Sequence, residues 1–443
     1  MSVAPPALPV TQTSEGWEPP PIRTIEDTGL NMGFLADLTL KVLYFEGYIA
    51  GSRIADILKL PFAGIVDRVL EFLKREQLCE VKGAAGFGES TYNYAITTKG
   101  SEKAREVIDR SQYIGPAPVT LEAYTRAVHH QPLRNVVVNP QALREALSHL
   151  VINDELLAQI GPAVNSGRSM FLYGNPGNGK TAIAESIGRM ILGGQMYIPY
   201  AVEVGGQIIK VFDNVNHQLA DEARPAGTPP TSPKLRAQPR DPRWVLIHRP
   251  VITVGGELTL ESLDLVYDQT NKYYEAPFQM KANGGMFLID DFGRQQVRPR
   301  DLLNRWIVPL EKRIDYLTLH TGRKIEVPFD VLIVFSTNLA PKDLVDEAFL
   351  RRIRHKIEIP DPSFDDYREI FRRVCQQKGV PYDERGLGYL LQEYYVKPHR
   401  KLRAVHPRDL VDQIVDTASY LGVEPRLTKE LIDRACEAYF VEL

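Results

Sequence analysis

Apolar residues along this chain change their spacing several times, and each change predicts a different kind of element. From Phe34 to Gly47 they recur at helical spacing, and "GSRIADILKLP" and the run from Phe62 to Leu78 continue that period. "CEVKGAAGFGESTYNYAITTKG" then alternates in two short segments around a Gly-rich turn, before a helix from about Ser101 to Asp109. Three helices, a hairpin and a closing helix make the pattern of a winged helix-turn-helix. After a linker containing "YIGPAPV", helices are predicted from about Pro140 to Leu150 and from Asp154 to Val164. Beyond them β-type runs, helices and loops alternate to about Pro360, an α/β pattern with a mostly parallel sheet. Residues 361–443 read as helices with no strand signal, and no fixed-period repeat is present.

Two stretches lack any period. Residues 1–30, with "APPALPV" and "WEPPPIRT", are proline-rich and predict a flexible arm. "ARPAGTPPTSPKLRAQPRDPR", residues 223–243, predicts a mobile insertion rich in Pro and cations. The expected organisation is therefore an arm at 1–30, a winged helix at 31–112, an α/β core at 113–360 and a helical unit at 361–443.

Composition removes several function classes. The 443 residues carry 53 basic and 56 acidic side chains, so no global field recruits nucleic acid or anionic lipid. From Leu35 to Arg110 basic and acidic residues balance at eleven each. The expected recognition helix mixes Asp67, Arg68, Glu71, Lys74, Arg75 and Glu76, where a DNA reader normally shows a basic stripe. That balance favours docking on protein over binding duplex. No uncharged apolar stretch approaches ~20 residues, so no membrane span is expected. Cys79, Cys375 and Cys436 lie far apart without a CxxC pair, which suggests a reducing cytoplasm. His129 and His130 point in different directions on a helix and read as surface residues rather than metal ligands.

The strongest chemical signal is "SMFLYGNPGNGKTAIAESIGRMIL". A buried strand ends at Tyr173, a helix begins near Thr181, and Gly174, Gly177 and Gly179 stand between in the G-x-x-x-x-G-K-[ST] spacing. Such a loop, here Gly174, Asn175, Pro176, Gly177, Asn178, Gly179, Lys180, Thr181 and Ala182, wraps backbone N–H groups around phosphates at a helix N-terminus. Lys180 is placed to reach the β- and γ-phosphates of ATP, and the Thr181 hydroxyl to ligate Mg²⁺. A second acid must help hold that metal. "GGMFLIDDFGR" supplies it at a strand end, with Asp290 as the expected metal-side carboxylate and Asp291 beside it.

From about Val136 onward, these motifs in their order resemble the AAA+ ATPases, ring-forming members of the P-loop class. The resemblance implies a polar sensor after an apolar strand, which Asn338 in "DVLIVFSTNL" fits as the residue orienting the attacking water. It implies an arginine finger reaching a neighbouring subunit's γ-phosphate, for which Arg351, Arg352 and Arg354 in "DEAFLRRIRHKIEI" compete, Arg352 first and then Arg351. It further implies a second sensor in a helical lid, Arg408 in "AVHPRDLVDQIVD", behind Pro407 at the helix start. His406 there is expected to cap or pack. "LLNRWIVPLEKR" reads as a helix and "IDYLTLHTGRKIEVPFD" as a hairpin turning near Thr321 and Gly322. A hairpin at that place is similar to the branch holding MoxR-type ATPases and enhancer-binding activators.

Asp291 stands where that family usually carries Glu, the base that polarises water. It is one methylene shorter, a loss of ~1.5 Å of reach. The expectation is a competent but slow ATPase in a homo-oligomeric ring, of hexamer type. Its winged helix and arm would recruit a protein client or adaptor. A DNA-associated motor and a slow, nucleotide-switched scaffold remain as alternatives. Tyr273 and Tyr274 could grip a substrate in a central channel, though aromatics at such places usually belong to a core.

Overall fold

Five apolar runs form the central sheet of the computed structural model, which describes residues 11–12, 16–84, 86, 88–220, 240–344 and 347–440. The strands are β1 (Ser169–Tyr173), β2 (Val251–Val254), β3 (Met286–Ile289), β4 (Leu332–Thr337) and β5 (His355–Glu358). They lie in the order β2-β3-β4-β1-β5, and every neighbouring pair is parallel. All side chains of β3 and β4 are buried, as the interior of a parallel sheet covered on both faces requires. Alternation sends Met170, Leu172, Met286, Leu288 and Val334 to one face, under helix α1 (Lys180–Leu192). Phe171, Phe287, Ile289, Ile333 and Phe335 point to the other, against Trp306. The run "LLNRWIVPLEKR" there is two short helices, Pro299–Arg305 and Ile307–Lys312, broken at Trp306.

The segment between α1 and β3 holds more than loops. A second, mixed sheet runs Val266–Asp268, Tyr273–Glu275, Gln207–Lys210, Ala201–Val204, Val119–Thr120. The hairpin Ile314–Thr318 and Lys324–Pro328 forms as expected around Gly322, whose φ is +81°. It packs with helix Leu121–His130 on this second sheet. The single mostly parallel sheet expected for residues 113–360 is thus two five-stranded sheets, with this hairpin and the antiparallel pair Gln195–Pro199 and Trp244–His248 beside them. Tyr274 is fully buried and half-buried Tyr273 packs edge-on against Tyr113, so both rings belong to the core.

Residues 31–112 form helices Met32–Glu46, Gly51–Leu58, Asp67–Arg75 and Thr98–Ile108 around a three-stranded sheet of Tyr48–Ala50, Tyr92–Ile96 and Cys79–Ala84. The helix expected from Phe62 begins at Asp67, because Ala63 and Gly64 leave helical conformation. Gly64 has φ +84°, and a Cβ there would stand 2.3 Å from the Arg23 carbonyl oxygen. The core of this unit is continuous with Ala201 and Ile208 of the second sheet.

The proline-rich arm is corrected in part. From residue 16 it is packed: Trp17 lies edge-on to Trp244 and Tyr197, Ile22 and Leu30 are buried, and Ile25–Thr28 is a capped helical turn. Prolines fix an extended course there without freeing the chain. Of the expected insertion, residues 223–239 lie outside the described residues. Its end is anchored by buried Arg243, which donates to the Asp241 carboxylate and to the carbonyls of Thr28 and Pro118.

Residues 361–440 are helical, with Phe364–Lys378, Glu384–Leu391, α2 (His406–Leu421) and Lys429–Tyr439 packed around Tyr367, Phe371, Tyr395 and Ile414. No described helix is long and apolar enough to cross a membrane. The three cysteines are free and buried, and His129 and His130 are exposed.

Candidate nucleotide site

The register of the parallel sheet sets Tyr173, Ile289 and Thr337 at one edge, so the loops that follow β1, β3 and β4 converge. Ligands of open α/β sheets bind outside this carboxyl edge. The loop after β1 runs Gly174 to Gly179 and enters α1 at Lys180, with Gly177 and Gly179 at φ +80° and +84°. Neither Gly177 nor Gly179 donates its N–H to a protein acceptor among the described residues. Two N–H groups left free at a helix start make an anion cradle. A Cβ on Gly174 would stand 2.3 Å from the Ile359 carbonyl oxygen, and one on Gly177 would stand 2.6 Å from Val405 Cγ1. Asn178 is buried, Asn175 half-buried and Pro176 exposed, while Ala182 sits in the first turn of α1 and accepts from Ser186.

Lys180 is buried, and its ammonium donates to the carbonyls of Gly174 (3.0 Å) and Asn175 (2.9 Å) and to Asn338 Oδ1 (2.7 Å). Burial pulls its pKa below the ordinary lysine value, Asp291 and Asp290 oppose that, and the Arg403 guanidinium adds to it. Thr181 Oγ1 lies 3.0 and 3.1 Å from the two Asp290 carboxylate oxygens. Asn338 Nδ2 donates to Asp291 Oδ1 at 3.2 Å, so Asn338 bridges Lys180 and Asp291. The acid loop is fixed from behind: Gln295 Nε2 donates to the Asp290 carbonyl, and Thr337 Oγ1 donates to the Phe292 carbonyl. Asp291 is exposed and has φ +48°, in the left-handed region that Asp and Asn tolerate better than longer side chains.

The residues fit a magnesium nucleotide. Free loop N–H groups and two nearby cations, Lys180 and Arg403, suit a polyphosphate. One hydroxyl and one carboxylate, Thr181 and Asp290, suit an ion that keeps waters and takes phosphate oxygens. Among the described residues no group of three or more His, Cys, Asp or Glu side chains forms a metal cage.

Two residues of this site have no motif to announce them. The Asp361 carboxylate accepts from Asn175 Nδ2 (3.0 and 3.2 Å) and Asn178 Nδ2 (2.7 Å), and pairs with Arg403. Burial raises the Asp361 carboxyl, but the two amides and the Arg403 guanidinium together hold it below the usual carboxylate value. The same C-terminal segment closes on the loop through Val405 N–H to the Gly177 carbonyl (2.8 Å) and Ala404 N–H to Asn178 Oδ1 (3.3 Å). The strand-end position of Asp361 was the available signal for it; Arg403 lies in an aperiodic stretch that carries none.

The expected arginines are placed differently from one another. Arg352 Nε donates to Glu311 at 2.7 Å, whereas Arg351 and Arg354 are exposed. Arg408 is exposed on the first turn of α2, with Nε 3.1 Å from the Asp409 carboxylate, while Arg403 takes the place beside the loop. His406 packs: it meets the Tyr395 hydroxyl at 2.9 Å, and burial with the nearby Arg403 charge lowers its pKa to about 4.

Residues 363–438 match a family described as "Domain of unknown function (DUF8689)". No curated protein matches the sequence. Among solved structures, NtrX from Brucella abortus in complex with ADP is similar over 83% of this chain, at 14% identity and a TM-score of 0.36. A RuvB mutant from Thermotoga maritima is similar over 70% of this chain and 73% of its own, at 10% identity and a TM-score of 0.35. This chain spans 59% of the length of that NtrX chain. Both likenesses are loose, and the site's own geometry is what speaks for nucleotide chemistry.

Proposed function

We propose that this protein binds Mg²⁺-ATP and hydrolyses it, as an AAA+ ATPase working in a homo-oligomeric ring of hexamer type on a protein client. The observation that carries the reading is the convergence of Lys180, Thr181, Asp290, Asp291 and Asn338 at one edge of a parallel sheet. The sheet order and the helical unit closing on the loop through residues 403–405 accord with it.

In this reading the loop glycines and Lys180 hold the phosphates, and Thr181 with Asp290 holds the metal. Mg²⁺ held by Thr181 and Asp290 would supply charge neutralisation to the phosphate oxygens. Asp291 accepts the proton of the attacking water at its carboxylate, and Asn338 orients that water while remaining tied to Asp291. Arg403 and Arg408 lie on the helical unit acting as a lid, Arg403 against the loop and Arg408 one helix turn out. Arg351, Arg352 and Arg354 remain the candidates for the finger, with Arg351 and Arg354 facing outward.

The unit at residues 31–112 we read as a winged helix, a reading its helices and three-stranded sheet support, and we assign it to client or adaptor docking. On Asp67–Arg75 two of the three cations stand beside acids, Arg68 by Glu71 (3.7 Å) and Arg75 by Glu76 (4.0 Å), which leaves Lys74 alone rather than a basic stripe for phosphates. Phe45, Tyr48 and Val81 are exposed apolar residues on the same unit. One observation favours the slow-scaffold reading as a second: Asp291 is short and held at positive φ.

Electron microscopy of the full chain with a slowly hydrolysed ATP analogue tests the reading. A closed ring with nucleotide at subunit boundaries is expected, and a monomer under saturating analogue would contradict the motor and the composite site together.

A further inference from the structure

A cavity of about 600 Å³ lies where helix Met32–Glu46, the end of helix Thr98–Ile108 and the second sheet meet, lined among others by Asp37, Lys41, Arg110, Ser111, Tyr267 and His320. Its size is that of a small-molecule site, and it sits between two units of the fold, where such sites concentrate. At its back is Lys41, only 2% exposed. The Lys41 ammonium donates to the Ser111 carbonyl at 3.1 Å, and its other two donors have no acceptor among the described residues. A buried ammonium left with open donors is costly unless an anion completes it. Burial lowers its pKa to about 8 even with Asp37 one turn away, and its hydrogen bond among the described residues goes to the Ser111 carbonyl and not to that carboxylate. Burial also holds Asp37 above the usual carboxylate value, against the pull of Arg110, Lys103 and Lys41.

Arg110 adds a second cation at the rim and makes no side-chain hydrogen bond among the described residues. The far wall is aromatic: the Tyr267 and His320 rings stack with centroids 4.3 Å apart. We propose that this cavity binds a small organic anion, a carboxylate or a phosphate ester, with its charge on Lys41 and Arg110. Because α-helical and second-sheet residues share the cavity, the ligand would fix the N-terminal unit against the inserted sheet. The proposal does not rest on the ATPase reading, since no residue of the nucleotide site lines this cavity.

The test titrates succinate and, separately, inorganic phosphate into the full chain with its nucleotide site saturated by Mg²⁺-ADP, read by calorimetry and thermal unfolding. Either probe should bind in the millimolar range or tighter and raise the unfolding temperature, and the one that binds identifies the head group. Lys41→Met should weaken that binding at least roughly tenfold while raising the unfolding temperature without probe. Arg110→Gln, a surface change, should weaken it with the fold intact, and Lys180→Ala should leave it unchanged. Failure of both probes to bind overturns the proposal, as does binding that persists undiminished in Arg110→Gln and Lys41→Met.

Discussion

Asp291 combines two constraints that act on the same atoms. Its backbone sits at φ +48°, where Asp and Asn fit more easily than Glu, and in the proposed mechanism its carboxylate must still meet a water near Asn338. The base proposed here is thus the shorter acid, on a turn that Gln295 and Thr337 hold in place. Asn tolerates the same backbone, so Asp291→Asn should fold normally and bind Mg²⁺-ATP with unchanged affinity. Its single-turnover hydrolysis should fall ~100-fold or more. Unchanged turnover in a quench-flow assay would place the base elsewhere.

Lys41 gives the second residue-scale prediction. Its folded pKa of about 8 lies below the ordinary 10.5, so between those values the unfolded chain binds more protons. Stability therefore rises with pH across that window, and the cost of burying the charge is fully present below it. Lys41→Met removes the cost, on the order of 3 kcal/mol. Asp37, Arg110, Tyr267 and His320 face the same cavity in both proteins and largely cancel in the difference. The unfolding temperature of Lys41→Met should exceed that of the parent at pH 7, and the gap should close between about pH 8 and 10.5. A gap that stays constant over that range would show that the ammonium is not the cause.

At the scale of elements, the clamp between the P-loop and the C-terminal helices is the feature with most consequence. Asn175 and Asn178 are bound by a carboxylate more than 180 residues away, which also holds Arg403. Asp361→Ala leaves two loop amides and a guanidinium without their common acceptor, and charged hydrogen bonds of this kind contribute ~1.5–3 kcal/mol each. Nucleotide affinity, measured by fluorescence titration with a labelled ADP, should weaken by at least roughly tenfold. Affinity equal to the parent's would mean that the clamp does not shape the loop.

The same clamp shows why sequence reading reached some parts and not others. Gly174 to Thr181 was legible because its chemistry is spaced within one loop, and β3 and β4 because doubly covered parallel strands are unbroken apolar runs. Asp361 and Arg403 act only through distant partners, so no local spacing reveals them. The second sheet was hidden for another reason. Strands of two to four residues, such as Val119–Thr120 and Gln207–Lys210, are too short to set a period. Prolines misled at the start of the chain: they mark an extended course, and Trp17 and Ile22 supply the packing that orders it.

Across the whole molecule, the N-terminal unit shares its core with the inserted sheet, while the C-terminal helices close on the nucleotide loop. On the proposed reading, a change in nucleotide state would act on one end of the molecule, and the client or small anion proposed for the N-terminal unit on the other. Arg351 and Arg354 are exposed, as a finger reaching a neighbouring copy's phosphate in the proposed ring would have to be. The most direct test of the central claim is steady-state ATP hydrolysis per chain, measured across protein concentration beside Lys180→Ala. Turnover above that variant, slow in absolute terms and rising with concentration as sites are completed between copies, is the predicted result. A rate indistinguishable from Lys180→Ala at every concentration would contradict the account.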